Sequence, residues 1–162
     1  MKKRIETDID INASAEKVWE VLTDLSSYPQ WNPFILEISG KLSVGEKLRV
    51  VIRPEGGREM TFKPIVKAAD ATRELRWLGR LFFSGLFDGE HYFRIEPKGD
   101  AAVRFVHGEN FDGILVRLFA KSLDKGTAAG FRAMNKAIKE RAESLMMNQT
   151  VSDKIEDLKP VR

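Results

Sequence analysis

Apolar and polar residues alternate along much of this chain. Near the N-terminus every second residue is apolar or β-branched: Ile5, Thr7, Ile9 and Ile11. The residues between them are charged: Arg4, Glu6, Asp8 and Asp10. The same alternation recurs in shorter stretches, at 36–39, 47–53, 60–67, 75–80, 93–96 and 103–105. A period of two with one charged face is typical of antiparallel strands that pack on one side and face water on the other, so we predict about seven strands.

The period changes from two to 3.6 residues at about Ile114 and keeps that value to Leu145. One face of the implied helix is apolar or small, carrying Leu115, Phe119, Leu123, Gly126, Gly130, Met134 and Ala137. The opposite face is polar, carrying Arg117, Lys121, Asp124, Lys125, Arg132, Asn135, Lys139 and Glu143. A helix of about 30 residues is roughly 45 Å long and crosses a whole sheet. Only a concave sheet can hold it along its length, so we predict a curved sheet around a C-terminal helix.

The composition restricts the class of protein. At 162 residues the chain is long enough for one domain, and 43% hydrophobic residues support a packed core. The 27 basic and 24 acidic residues leave a net charge of +3, which gives no strong reason to expect nucleic acid or an anionic membrane as a partner. The absence of cysteine excludes disulfides, thiolate zinc sites and cysteine nucleophiles. No Walker A, GxGxxG or GxSxG motif is present, so nucleotide cofactors and serine-hydrolase chemistry have no support.

No segment predicts secretion or a membrane span. The basic start, Met1–Arg4, resembles the first part of a signal peptide, but the charged segment Ile5–Asp10 follows it in place of an apolar core. The longest apolar run, Leu81–Phe87, is far too short to span a bilayer. We therefore expect a soluble cytoplasmic domain without stable membrane insertion.

A short helix and an aromatic loop follow the first strand, in the segment Ser14–Pro33. Ser14 stands at the N-cap position, and Pro29 and Pro33 prevent the helix from continuing. Together with Gly89–Pro97 and Arg104–Gly113, this segment resembles the polyketide cyclase/dehydrase-like branch of the START-like (SRPBCC, birch-pollen-allergen-like) superfamily.

This resemblance covers about residues 3 to 146. It implies an α+β helix-grip fold: a curved antiparallel sheet of about seven strands around a long C-terminal helix, one or two short helices after the first strand, and a cavity between sheet and helix. We accordingly expect a START-like domain over 1–146. Residues 147–162 form a polar tail, for which both a short helix and disorder are open.

Two glycines, Gly126 and Gly130, lie one turn apart on the inner face of the predicted helix. Each costs the helix about 1 kcal/mol relative to alanine, so a compensating role is expected. They either leave space for a ligand or admit bulky side chains from the sheet, and the resemblance favours a cavity. The ligand-binding residues expected on this basis are Trp31, Phe34, Met60, Phe62, Trp77, Phe93, Phe105, Phe119, Leu123, Gly126, Gly130 and Met134.

Two histidines and a carboxylate are the candidate catalytic groups. Pairing Ile95 with Val103 across the hairpin around Gly99, and Phe93 with Phe105, places His91 opposite His107 with both side chains inward, and Glu109 follows on the same parity. The three groups could move a proton or form a buried hydrogen-bond cluster. A two-histidine, one-carboxylate iron site has the same composition, but the resemblance predicts no metal, and no cofactor is expected.

The segment Gly79–Gly89 has glycines at both ends and an apolar centre. By the resemblance it is an entrance loop near a pocket mouth. The alternative is that Leu81 and Phe83 simply continue the strand from Leu75 and Trp77. If this segment is exposed, it favours dimerisation or an encounter with a membrane.

Three functions are open at this stage. The first is binding of a small hydrophobic molecule that is lipid-, quinone- or polyketide-like. The second is an enzyme of the cyclase, aromatase or dehydratase type, with His91 or His107 as general base and Glu109 orienting it. The third is a protein-interaction or stress-related module acting through Leu81, Phe82 and Phe83. The expected partner is a small hydrophobic molecule and not nucleic acid, and the protein is expected as a monomer or a homodimer.

Overall fold

The computed structural model describes residues 2–80, 84–116 and 126–157. Within these ranges there are eight strands: β1 (Lys2–Ile11), β2 (Ile35–Gly40), β3 (Leu48–Ile52), β4 (Met60–Phe62), β5 (Ile65–Asp70), β6 (Glu74–Arg80), β7 (Asp88–Pro97) and β8 (Val103–Asp112). The helical elements are α1 (Ala15–Thr23), a 3₁₀ turn (Leu25–Ser27), α2 (Tyr28–Trp31) and α3 (Ala128–Asp157). The predicted α+β class and the short helices after the first strand are confirmed.

All strand pairs are antiparallel, and they form two sheets. One has the order β1-β8-β7-β6-β5 and the other β2-β3-β4. A bridge between Lys47 and Ile65 links the two sheets, so that together they make one curved surface. Helix α3 packs against β1 and β8 and against α1. This is the helix-grip arrangement that the sequence predicts.

One predicted strand, 60–67, is two strands in the structure. Strand β4 pairs with β3, whereas β5 pairs with β6, so the chain changes sheets between Phe62 and Ile65. Pro64 lies at the change. It has no N–H for a ladder, and its carbonyl accepts a hydrogen bond from the N–H of Leu48 (2.9 Å). This break explains why the structure has eight strands where the alternation alone indicates about seven.

Helix α1 begins where the sequence predicts. The hydroxyl of Ser14 accepts a hydrogen bond from the N–H of Lys17 (3.3 Å), which satisfies one free donor of the first turn. The side chains of Val18 and Leu22, on the inner face of this helix, are completely buried. The phenol of Tyr28 then donates to the carbonyl of Leu22 (2.7 Å), which fixes the aromatic loop against the end of α1.

The buried face of α3 differs from the predicted one. Met134 is buried as expected, but Phe131 and Ile138 are buried beside it and Ala137 is only half-buried. Asn135, which the periodicity assigns to the polar face, is also buried (2% exposed). That assignment is wrong because it assumed that the side-chain amide of Asn135 faces solvent. In the structure, hydrogen bonds inside the protein satisfy this amide.

Helix α3 continues without interruption through the beginning of the segment expected to be a tail, since residues 147–157 are helical. The first part of the predicted helix, 117–125, lies outside the described residues, as does 158–162. Across the described ranges, no helix combines the length and apolar character that a membrane span requires.

Candidate functional site

A cavity of about 300 Å³ lies between the two sheets and the N-terminal end of α3. Of the expected site residues, six line it: Phe34, Met60, Phe62, Trp77, His91 and Glu109. The wall is mostly apolar, and it includes residues that the sequence did not single out: Ile35, Val50, Ile52, Pro54, Pro64, Phe87 and Phe111. Gly79, Arg80, Gly89 and Thr127 complete it.

Other expected site residues lie elsewhere. Phe93, Phe105 and Met134 are fully buried and belong to the core beneath the cavity, not to its wall. Trp31 lines a separate shallow depression beside α3. Two further candidates, Phe119 and Leu123, lie outside the described residues, as do Leu81, Phe82 and Phe83 of the expected entrance loop.

The two helix glycines act differently from one another. A Cβ on Gly130 would lie only 2.3 Å from a ring carbon of Phe34, so this glycine allows the phenyl ring to pack directly on the helix backbone. Phe34 in turn lines the cavity, and Gly130 therefore shapes the wall without facing the space itself. A Cβ on Gly126 would be 3.5 Å from Pro54, an ordinary contact. Of the two alternatives that the sequence leaves open, close packing describes Gly130.

The hairpin that carries the histidines has a different register from the predicted one. Ile95 pairs with Phe105 and not with Val103, and His91 therefore lies opposite Glu109. The prediction centred the turn on Gly99, whereas the N–H of Lys98 bonds to the carbonyl of Ala102. The predicted register is therefore wrong by two residues. Because side chains alternate along a strand with a period of two, His91, His107 and Glu109 still face inward as predicted.

The three side chains form a chain of contacts that runs from the cavity into the core. Glu109 Oε2 lies 3.5 Å from His91 Nδ1. The Nε2 atoms of His91 and His107 are 2.9 Å apart. His107 Nδ1 lies 3.1 Å from Asn135 Oδ1, and the amide of Asn135 donates to Thr7 Oγ1 (3.0 Å). Only His91 and Glu109 border the cavity, so His107 is a buried group behind them.

Aromatic rings enclose both imidazoles. Trp77 stacks on His91, with ring centroids 5.0 Å apart and an angle of 8° between the planes. Phe131 stacks on His107 at 3.8 Å and 20°. Burial in this apolar environment holds the pKa of His107 well below its usual range, and the neighbouring His91 acts in the same direction. His107 is therefore neutral at neutral pH.

Space for the carboxylate comes from Gly89, at the start of β7. A Cβ at this position would be 2.3 Å from Glu109 Oε1, so a larger residue would displace the carboxylate. Gly89 and the preceding Asp88 both belong to β7. A glycine at a strand position is itself a signal of close approach by a neighbouring group.

The two histidines do not converge on a common point where a metal could bind. Their Nε2 atoms face each other directly. In the part of the chain that the structure describes, no group of three or more histidine, aspartate or glutamate side chains is arranged to hold a metal ion.

Comparison with known proteins identifies a family that the sequence of this chain matches. The sequence matches the family model described as polyketide cyclase / dehydrase and lipid transport over residues 2–143. A search of curated protein sequences gives no match.

Solved structures share the fold at low sequence identity. An aromatase/cyclase from Streptomyces sp. R1128 is 16% identical, with 88% of this chain and 94% of that chain aligned and a TM-score of 0.70. A START superfamily protein from Mycobacterium smegmatis is 20% identical, with 88% and 98% aligned and a TM-score of 0.70. Norcoclaurine synthase from Thalictrum flavum, a point mutant with a transition-state analogue, is 16% identical, with 90% and 97% aligned and a TM-score of 0.69.

The family model covers most of the chain, and these structures have the same curved sheet and C-terminal helix. The resemblance noted in the sequence is therefore confirmed. The chain belongs to the polyketide cyclase/dehydrase and lipid-transport family.

Proposed function

We propose that this protein binds a small hydrophobic molecule in the cavity between the two sheets and α3. The observation that supports the proposal most is the cavity wall, in which rings and branched side chains surround a space of about 300 Å³. Binding there is driven by removal of apolar surface from water, about 25 cal/mol per Å² before the cost of ordering is subtracted. The family description, which includes lipid transport, is consistent with this function.

The size of the cavity restricts the ligand. Small-molecule sites have volumes of about 300–1,000 Å³, and this cavity is at the lower end of that range. A compact ring system of the quinone or polyketide type fits such a space better than a long acyl chain. Met60 is 44% exposed and lines the cavity, so it marks a side on which a ligand meets solvent.

The substitution Gly79→Leu tests the site. Gly79 lines the cavity, and a Cβ there would make only ordinary contacts, 3.8 Å from the carbonyl of Gly89 and 4.0 Å from Pro64. A side chain at this position therefore starts without a clash at its Cβ, and leucine adds apolar volume at the cavity wall. We expect the affinity for the solvatochromic naphthalene ketone prodan, followed by its fluorescence, to fall at least about tenfold, which is about 1.4 kcal/mol.

Gly79→Ala is the matched control, because its single methyl group leaves most of the cavity open. Its affinity for prodan should stay close to that of the unmodified protein. Equal affinities for the leucine variant and the unmodified protein would show that the dye binds somewhere else and would overturn the proposed site.

A second candidate function is an enzyme of the cyclase or dehydratase type without a cofactor. The observation that favours it is the position of His91 and Glu109, an imidazole and a carboxylate on the wall of a mostly apolar cavity. Such groups are suited to proton transfer with a bound substrate. His107 does not border the cavity, so the direct acid–base role narrows to His91 and Glu109, and His107 becomes a group that supports them.

A further inference from the structure

The hydrogen bonds behind the cavity determine which nitrogen of His91 carries a proton. The hydroxyl of Thr7 donates to the carbonyl of His107 (3.4 Å). The oxygen of Thr7 is then an acceptor for the amide group of Asn135 (3.0 Å). This arrangement fixes the orientation of the amide, so that Asn135 Oδ1 faces His107.

An oxygen acceptor at His107 Nδ1 requires a proton on that nitrogen. The backbone carbonyl of Phe131, one turn earlier in α3, is a further acceptor for the same imidazole. Because buried His107 is neutral, its single ring proton lies on Nδ1 and its Nε2 has a lone pair. The contact of 2.9 Å between the two Nε2 atoms is then a hydrogen bond that His91 donates.

His91 consequently uses its Nε2 proton on the buried side and, when neutral, directs the lone pair of Nδ1 toward Glu109. A carboxylate oxygen is likewise an acceptor, so no hydrogen bond joins His91 Nδ1 to Glu109 Oε2 across their separation of 3.5 Å. Two acceptors thus lie side by side at the end of an apolar cavity. The groups packed on His91 from β6 and α3, Trp77 and Phe131, carry no charge.

We propose that His107 and Asn135 hold His91 in the tautomer with its basic nitrogen toward the cavity. Because His91 then donates no hydrogen bond to Glu109, the carboxylate accepts the proton of a hydroxyl group of the ligand. This inference rests on the proposed binding function and adds the chemical class of the ligand: an apolar ring system with a phenolic or enolic O–H. His107 and Asn135 are positioning residues, because neither borders the cavity.

The tautomers can be measured directly without any ligand. The chain has two histidines, so long-range ¹H–¹⁵N correlation spectra contain only two imidazole systems. We expect the proton of His107 on Nδ1 and that of His91 on Nε2. The reverse arrangement, with His107 protonated on Nε2, would overturn the proposal.

A matched pair of ligands tests the chemical class. 2-Naphthol and 2-methoxynaphthalene have the same ring system, but only naphthol can donate a hydrogen bond. We expect naphthol to bind about tenfold more tightly, as is typical of a hydrogen bond to a charged acceptor. Glu109→Gln, which keeps the shape of the side chain, should remove most of this preference, and Asn135→Ala should reduce it and also change the ¹⁵N shifts of His107.

The outcomes separate the two proposals. Binding of neither compound would contradict the proposed function but would leave the tautomer result intact. Equal binding of both compounds would support the cavity and overturn the inference about the hydroxyl group. An unchanged preference in the Glu109→Gln variant would likewise overturn it, because the carboxylate would then not be the acceptor.

Discussion

Replacing Phe131 by alanine is expected to lower the free energy of unfolding by about 3–5 kcal/mol, as for other large-to-small changes at fully buried aromatic positions. Phe131 is completely buried. Its ring stacks on His107 at 3.8 Å and contacts Phe34 edge-on at 5.4 Å, so it joins the helix to both the polar chain and the cavity wall. Urea denaturation measures the change.

Phe62→Ala is the matched control for this substitution. Phe62 is on the cavity wall and only half-buried, so its removal should cause a clearly smaller loss. A loss at Phe131 no greater than that at Phe62 would contradict the central position that we assign to Phe131 in the packing of α3.

Acidification below pH 6.5 is expected to destabilise the protein through His107. Burial lowers the pKa of His107 in the folded state, so between the usual value of 6.5 and the lowered value the unfolded chain binds a proton that the folded protein does not. The contribution of neutral His107 to the free energy of unfolding is therefore fully present above pH 6.5. Below that pH it falls, by up to about 1.4 kcal/mol per pH unit for one proton.

The variant His107→Phe isolates this effect, because it keeps an aromatic ring between Phe93 and Phe131 but does not titrate. It is expected to be less stable overall, with a weaker dependence of stability on pH between 6.5 and about 5. Carboxylates contribute at lower pH: the hydrogen bond from Lys98 holds the pKa of Asp10 below its usual value of 3.8. Equal slopes for both proteins in urea denaturation at several pH values would contradict the role of His107.

The architecture was predictable because it depends on the alternation of apolar and charged residues, which is visible in each short stretch of the sequence. A charged face and an apolar face fix the inward side of β6, where Leu75 and Trp77 are both buried. The change to a period of 3.6 indicates the C-terminal helix in the same way. The break at Pro64 was missed, because the residues on both sides continue the alternation while pairing with different strands.

The site was less predictable, because its contacts join distant parts of the chain. Parity placed His91 and Glu109 inside, but the length of the turn from Lys98 to Ala102 decides which residues face each other. Asn135 is separated from His107 by 28 residues, and only the packing of α3 brings the two together. An asparagine among lysines and arginines gives no local signal of this burial.

The aromatic loop shows the same limit. Trp31 and Phe34 are both large rings in one short segment, and nothing in the local pattern distinguishes their directions. The structure places Phe34 on the bare backbone of Gly130, a fit that depends on a glycine far along the chain. Trp31 instead donates a hydrogen bond to the hydroxyl of Ser27 (3.1 Å) and lies beside Arg141 and Leu145.

The most direct test of the binding cavity is an NMR measurement of nuclear Overhauser effects between bound prodan and the methyl groups of the protein. We predict effects to Val50, Ile52 and Met60, which line the cavity, and none to Met147 or Val151, which are exposed on α3. Contacts with the exposed methyl groups, or none with the cavity methyl groups at saturating dye, would contradict the binding site.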